Sequence, residues 1–350
     1  MSHVRAKWSG AVVCGLLVLA AGCGSSEPAA PAKDQAMATS PAPSVTDADR
    51  LAFYQRCWQL FSAHNYAEFK TCYAGNATSQ QIGYGKPNVS GSDAIVASTE
   101  AFAKAFPDVS GEGQLILVNG PRIASIFILK GTNSGPMMTP DGHSMPATNK
   151  KMAVFFGHAV TLDPAALKVT KEIGVNDSGT VAAQLGMTKM PARPYMEHGA
   201  ASPTIVMAKH DAVESANLAT EAAQLQAWNK HDAAGVKAYA SEKLVFHDMG
   251  MPADQNLTEN LASMSELWKG FSDLKLTYAD TWAAGDYVFM TGTLDGTNDG
   301  VFAPMNIKKT GKKLSLPFLS IDRLSDGKVV ESWLFYDTAS MAGQMGLGGM

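Results

Sequence analysis

Asp337 closes the apolar run Trp333-Leu334-Phe335-Tyr336, and Asp177 closes a less aromatic one of the same length, Ile173-Gly174-Val175-Asn176. A carboxylate set among aromatic side chains is desolvated, and its pKa rises towards the range a general acid/base needs near neutral pH. Each aspartate also stands just before small residues that can begin a helix, where its oxygens would accept the first free N–H groups as a cap. Both readings are open for both residues. His247-Asp248 places two titratable side chains on opposite faces of one strand, so a single member can face a pocket. His247 facing in would polarise or position a substrate; a solvated pair at a strand end is the other reading. The corresponding stretch near Gln80-Gln81 lacks the histidine. His158 falls on the expected face of Asp177 but opposite Ile173, about 13 Å from it along the sheet, so no direct His–Asp dyad follows.

The elements that must position these residues are written twice. Phe61-Ser62-Ala63-His64-Asn65 is matched by Trp228-Asn229-Lys230-His231-Asp232, His64 falling on His231, and Phe106-Pro107-Asp108 by Phe271-Ser272-Asp273. Gly131-Thr132-Asn133-Ser134-Gly135 is matched by Gly296-Thr297-Asn298-Asp299-Gly300, and the Asp177, Gln184 and Gly186 series by Asp337, Gln344 and Gly346. Matches in one order, with spacings that drift only by loop lengths, indicate two copies of one domain. We place them at 47–190 and 211–350, with 191–210 as a proline-bearing linker. Each copy opens with a helix, expected at Asp47–Ala63 in the first, where Thr46 and Asp49 form a capping-box pattern. A shorter helix is expected at Tyr66–Ala74. Then come a strand (Leu244–Met249 in the second copy), another helix, and four strands. Helices early and strands late predict an α+β fold with an antiparallel sheet.

The final hairpin can be given a register. Asp326-Gly327 is a two-residue turn signal, which pairs Ser320 with Trp333, Phe318 with Phe335 and Leu316 with Asp337. Those six would share one face, with Leu319, Ile321, Leu334 and Tyr336 on the other. Both faces are apolar, so one should cover the helices and a pocket while the other needs a partner. The sister sheet is the simplest partner, inside one chain or in a homodimer.

With 46% hydrophobic and 17% charged residues and a formal charge of -4, the composition is globular and argues against nucleic acid as a partner. Residues 1–22 have a basic start and a short apolar run, too short to span a bilayer. The run ends in Leu19-Ala20-Ala21-Gly22-Cys23, which resembles the lipobox of bacterial lipoprotein signal peptides. That implies lipidation of Cys23, a flexible tether over 23–46, and a cell-envelope location with a lipid anchor as the membrane contact. An ordinary secretory signal with a chance cysteine is the alternative. Cys57 and Cys72 lie on two helices of a hairpin; they are either a disulfide or two buried thiols. His143, His198 and His210 lack ligand-spaced companions, so no metal is expected. No phosphate loop or dinucleotide fingerprint occurs.

The second copy resembles the SnoaL-like polyketide cyclase and ester cyclase group of the nuclear transport factor 2-like superfamily. The resemblance rests on Trp228-Asn229-Lys230-His231-Asp232, Phe246-His247-Asp248, Phe271-Ser272-Asp273-Leu274 and residues 327–347, where Met345 replaces the usual Leu. It is weaker in the first copy. It implies two cone-like domains, each a curved sheet around one apolar pocket, and cofactor-free acid/base chemistry on a small apolar or aromatic molecule. By the resemblance Asp337 is the acid/base; on the faces read above His247 is its helper, and Trp228, Phe318, Ser320, Trp333 and Phe335 are pocket wall. Asp177 and His158 are the first-domain equivalents. Non-catalytic binding of a lipophilic molecule and protein interaction remain as alternatives.

Overall fold

The computed structural model describes residues 45–83, 88–138 and 143–347. The expected signal peptide, Cys23 and nearly all of the tether lie outside the described residues. The first lobe runs α1 (Asp47–Ser62), α2 (Tyr66–Phe69), β1 (Tyr73–Ile82), β2 (Val89–Ser90), α3 (Ser92–Ala105), β3 (Ser110–Asn119) and β4 (Arg122–Thr132). It continues through the small hairpin β5 (Met137–Met138) and β6 (Ser144–Met145), then β7 (Lys151–Leu162), β8 (Val169–Val175) and α4 (Ser178–Gln184). After β9 (Thr204–Met207), the second lobe repeats the order. It has α5 (Ala212–Asn229), α6 (Ala233–Tyr239), β10 (Ala240–Asp248), α7 (Leu257–Gly270), β11 (Lys275–Ala284), β12 (Tyr287–Thr297), β13 (Lys313–Ser325), β14 (Lys328–Phe335) and α8 (Thr338–Gln344). The sheets are ordered β2-β1-β8-β7-β4-β3-β9 and β10-β14-β13-β12-β11. This is the α+β architecture expected from the repeat, but the sheets are not wholly antiparallel: β1 runs parallel to β8 and β10 parallel to β14.

Two local expectations need correction. The second helix stops at Phe69 and a 3₁₀ turn, Lys70–Cys72, leads straight into β1, so Tyr73 and Ala74 are strand. The segment read as linker contains β9, which pairs in parallel with β3 through Leu115–Val118.

The repeated motifs explain themselves as clamps. Thr46 and Asp49 make the capping box of α1. His64 and His231 both sit at φ 56° between two helices, a conformation unfavourable without glycine. Each imidazole Nε2 donates to a carbonyl across the turn, of Val109 at 2.9 Å and Leu274 at 3.0 Å. Asn133 and Asn298 are wholly buried. Asn298 donates to the carbonyls of Gly270 and Gly300 and accepts from the N–H and hydroxyl of Thr310; Asn133 does the same with Ala105, Gly135 and Thr148. Such fully satisfied buried polar groups fix one loop geometry.

The hairpin register differs from the expected one by one residue. A bulge between Arg323 and Leu324 makes Arg323 face Glu331 while Leu324 faces Val329. Beyond it Ser320 opposes Leu334, Ile321 opposes Trp333 and Leu319 opposes Phe335. An extra residue in one strand transfers its whole side-chain set to the opposite face. Trp333 and Phe335 therefore leave the face of Phe318 and Ser320, and Leu334 takes their place. The same shift in the first lobe puts His158 opposite Gly174, not Ile173.

The face so produced joins the lobes. Leu319, Ile321, Phe335, Trp282 and Phe289 pack with Leu117, Ile126, Ala159 and Val175 in one buried cluster. The approach is close enough that a Cβ on Gly157 would lie 2.9 Å from the ring of Phe335. At the centre the two aspartates exchange caps. Asp177 accepts from Gly179 N and Thr180 N of its own helix and from Thr338 N and Oγ1 of the other lobe, at 2.9 and 2.6 Å. Asp337 accepts from Ser340 N and from Ser178 N and Oγ, at 2.9 and 2.5 Å.

Replacing either aspartate with alanine removes a cap and charge-assisted bonds across the interface, and should cost roughly 3 kcal/mol in urea unfolding. The cost of the double variant should differ from the sum of the two, because both aspartates bond to the same pair of helix ends. Cys57 and Cys72 form a disulfide across α1 and the 3₁₀ turn, closing a separation of 15 residues. Replacing both with serine should lower unfolding stability by about 3 kcal/mol.

Candidate functional site

Bounded by α5, α7 and the concave side of the sheet, the second lobe encloses a cavity of about 230 Å³. Its wall is mostly apolar: Trp228 from α5, Phe246 from β10, Leu316 and Phe318 from β13, Leu334 from β14. Alternation along β13 then places Ser320 and Asp322 on the same wall. Asp322 Oδ1 accepts from Ser332 Oγ at 2.6 Å and Ser320 Oγ at 3.2 Å. Behind it Glu221, 1% exposed, is bonded carboxyl to carboxyl with Asp322. Two carboxyls in such contact hold a proton between them, because both cannot ionise in a dry site. Burial pushes Asp322 up to about 6, opposed by the bonds from Ser332, Ser320 and Glu221. Burial, then the charge of Asp322 and the bond to it, lift Glu221 well above the ordinary carboxylate range. Oε1 of Glu221 has no donor partner among the described residues, as fits a carboxyl that carries the shared proton itself. Tyr278, also on the wall, is held protonated by burial and by these two acids.

A second acid lines the cavity at the end of β10. Burial lifts Asp248 to about 6, against the N–H of Gly250, the Tyr336 hydroxyl and the charge of Arg193. Arg193 comes from the segment after α4 and donates from Nε and Nη2 to the Asp248 carbonyl.

The residues expected from sequence separate into two groups. Trp228, Phe318 and Ser320 line this cavity. Trp333 and Phe335 do not: the bulge turns them to the interlobe cluster. Asp337 is 1% exposed and bonded to α8 and Ser178, outside the cavity wall; Asp177 has the matching place. His247 also points away from the cavity. It stacks on Trp333, with ring centres 5.1 Å apart, and lies 3.0 Å from Asp254 and 3.1 Å from Glu331. Burial lowers its pKa, but the two carboxylates outweigh burial and raise it.

In the first lobe His158 lines a smaller cavity of about 140 Å³. Its Nδ1 meets the Tyr54 hydroxyl at 2.7 Å and its Nε2 meets Glu172 Oε1 at 2.8 Å. Tyr73 donates to the same Glu172 oxygen and Tyr54 is also bonded to Ser125. Burial raises Glu172, but the bonds from and charge of His158, with Ser79 and Tyr73, bring it below the ordinary value. No His158–Asp177 pairing forms.

A family model of SnoaL-like polyketide cyclases matches residues 48–185 and, a second time, residues 220–345. The chain belongs to the SnoaL-like polyketide cyclase family. Among solved structures it is similar to a candidate SnoaL-like polyketide cyclase from Jannaschia, 18% identical over 40% of this chain and 99% of that one, TM-score 0.37. AclR from Streptomyces galilaeus, a candidate hydroxylase, is 25% identical over 39% and 99%, TM-score 0.36. IdmH from Streptomyces antibioticus, a candidate polyketide cyclase, is 24% identical over 37% and 98%, TM-score 0.34. A search of curated proteins returns no match.

Within this SnoaL-like chain the sequence reading missed Glu221 and Asp322. The buried side of α5 carries Glu214, Asn217 and Glu221, so it reads as a solvent face. The internal repeat held the signal: carried back from His231 on His64, it sets Glu221 on Tyr54, while Ser332 falls on Glu172 and Ser320 on His158. One wall is polar in both lobes, with different groups.

The raised acids set a pH dependence. Between about pH 4 and pH 6 the folded protein binds more protons at Asp322 and Asp248 than the unfolded chain, so stability falls as pH rises, by about 3 kcal/mol for each group. Raised His247 adds stability that is present at acid pH and lost as pH climbs through its folded pKa. Glu221→Gln should raise the melting temperature at pH 8 and leave it nearly unchanged at pH 4.5, where wild-type Glu221 is already neutral.

Proposed function

We propose that the second-lobe cavity takes up a small, largely apolar molecule and moves a proton on it without a cofactor. Asp322 is the group that reaches the substrate, and Glu221 keeps the proton the pair shares. The observation that carries this reading is the buried Asp322 carboxyl, held by Ser332 and Ser320 and backed by the buried Glu221, at the wall of an aromatic-lined cavity. A base with a pKa near 6 serves proton transfer at neutral pH. Asp322 would take a proton from a carbon beside a carbonyl, the C–H electrons forming the enolate double bond while the carbonyl pair moves to oxygen. Returning that proton to another carbon is isomerisation; attack of the enolate carbon on a second carbonyl, with the proton delivered to the new alkoxide, is cyclisation. Membership of the SnoaL-like polyketide cyclase family supports the second outcome.

The first lobe fits a non-catalytic binding role better. Tyr54, His158 and Glu172 already satisfy one another, and the pair at Glu221 and Asp322 has no counterpart there. For the chain as a whole we propose copies at 47–190 and 211–350, and export with lipid on Cys23. Export is supported by the apolar leader and by the Cys57–Cys72 disulfide, a bond that persists in oxidising compartments.

The test is deuterium uptake from D2O at carbons flanking the carbonyls of small aryl diketones, followed by NMR. Asp322→Asn should slow exchange by about 100-fold or more while Trp228 fluorescence still reports binding. Wild-type and variant rates that coincide would remove the proton-transfer role.

A further inference from the structure

The described wall of the cavity carries acids but no cation. Among the described residues none that lines it is Lys, Arg or His, yet Asp322 and Asp248 both line it. These acids stand at two places: Asp248 is across two strands from Ser320, which puts it roughly 12 Å from Asp322. The Asp248 end has a feature the other lacks. Gln255 pairs with Phe246 through both backbone groups, so its side chain lies on the Phe246 side of β10, as does Asp248. Its Nε2 donates to Ser263 Oγ at 2.8 Å, but Oε1 is buried with no partner among the described residues. The residue is only 9% exposed and lines the cavity. A buried acceptor left bare costs free energy that a bound donor recovers.

We propose that the Asp248–Gln255 end of the cavity is a subsite for a protonated amine. The ligand is then an apolar, aromatic-faced molecule with an ammonium group at one end and its reacting carbon at Asp322. Ammonium offers three donors and no acceptor. The Asp248 carboxylate and Gln255 Oε1 can take two of them, and the ring faces of Phe246 and Tyr336, which also line the cavity, favour a cation. A carboxylic or phosphorylated ligand meets the opposite: two acids on the wall, with Arg193 behind Asp248 and not among the lining residues. The inference names the substrate class of the site proposed above and rests on that reading.

Two matched probes separate the ideas: a 2-naphthylalkylamine and the alcohol of the same length, titrated against wild type by Trp228 fluorescence and calorimetry. The amine should bind at least tenfold more tightly at pH 7. Asp248→Asn should erase that preference while the alcohol binds as before. Gln255→Leu, which keeps the apolar packing and needs no charge change, should weaken the amine several-fold and spare the alcohol. Asp322→Asn should leave the preference intact while it removes deuterium exchange. Equal binding of amine and alcohol, or a preference that survives both Asp248→Asn and Gln255→Leu, overturns the amine subsite and leaves proton transfer standing. Failure of either probe to bind wild type, with no deuterium exchange in any diketone, overturns both.

Discussion

Two carboxylates, Asp177 and Asp337, each serve a helix of their own lobe and a helix of the other. Placing two acids so close to one another is unfavourable unless every oxygen is occupied, and here the backbone N–H groups of Ser178, Gly179, Thr180, Thr338 and Ser340 and the hydroxyls of Ser178, Thr180 and Thr338 occupy them. This exchange fixes how the sheets meet. Once they meet, the side of each sheet that carries Ile173, Val175, Trp333 and Phe335 is committed to the partner lobe, and the opposite side alone is left to shape a cavity. The place of every site residue follows from that commitment.

The two lobes show what such a frame conserves and what it releases. The residues that repeat faithfully, His64 with His231, Asn133 with Asn298, and Gln184 with Gln344, hold loops and strand ends in place. Gln344, for example, brackets the backbone of Ser315 with both ends of its amide, as Gln184 brackets Ala153. The wall of the cavity has diverged instead. Tyr54, His158 and Glu172 make a closed relay in one lobe; Glu221, Ser320 and Ser332 hold or surround an acid pair in the other. Polarity at that wall is shared, and chemistry is not.

Much of the fold was legible because helix caps, turns and repeats are local signals. Thr46 and Asp49, the Asp326-Gly327 turn and the ordered matches between copies each carry their meaning in a few adjacent residues. The site was far less legible. One unseen bulge at Arg323 and Leu324 exchanged the two faces of β14, so Trp333, Phe335 and Asp337 were read as pocket and Leu334 and Tyr336 as interface. Glu221 was hidden for a related reason: an acid on a helix looks solvated until the packing is known. Alternation reports which residues share a face, but not which face is which.

Arg193 has a meaning beyond the charge it lends Asp248. It lies on the chain between the lobes, anchored through its carbonyl to Gln184 of the first and through its guanidinium to Asp248 and Asp254 of the second. A pair of separate subunits meeting through the same apolar faces would come apart on dilution. Here the two faces are covalently joined and the joining segment is itself fastened at both ends, so their encounter is intramolecular and its strength is independent of protein concentration. Mutations that weaken the interlobe faces will therefore surface as lower melting temperature and not as dissociation, and each cavity can change its lining without having to find its partner again.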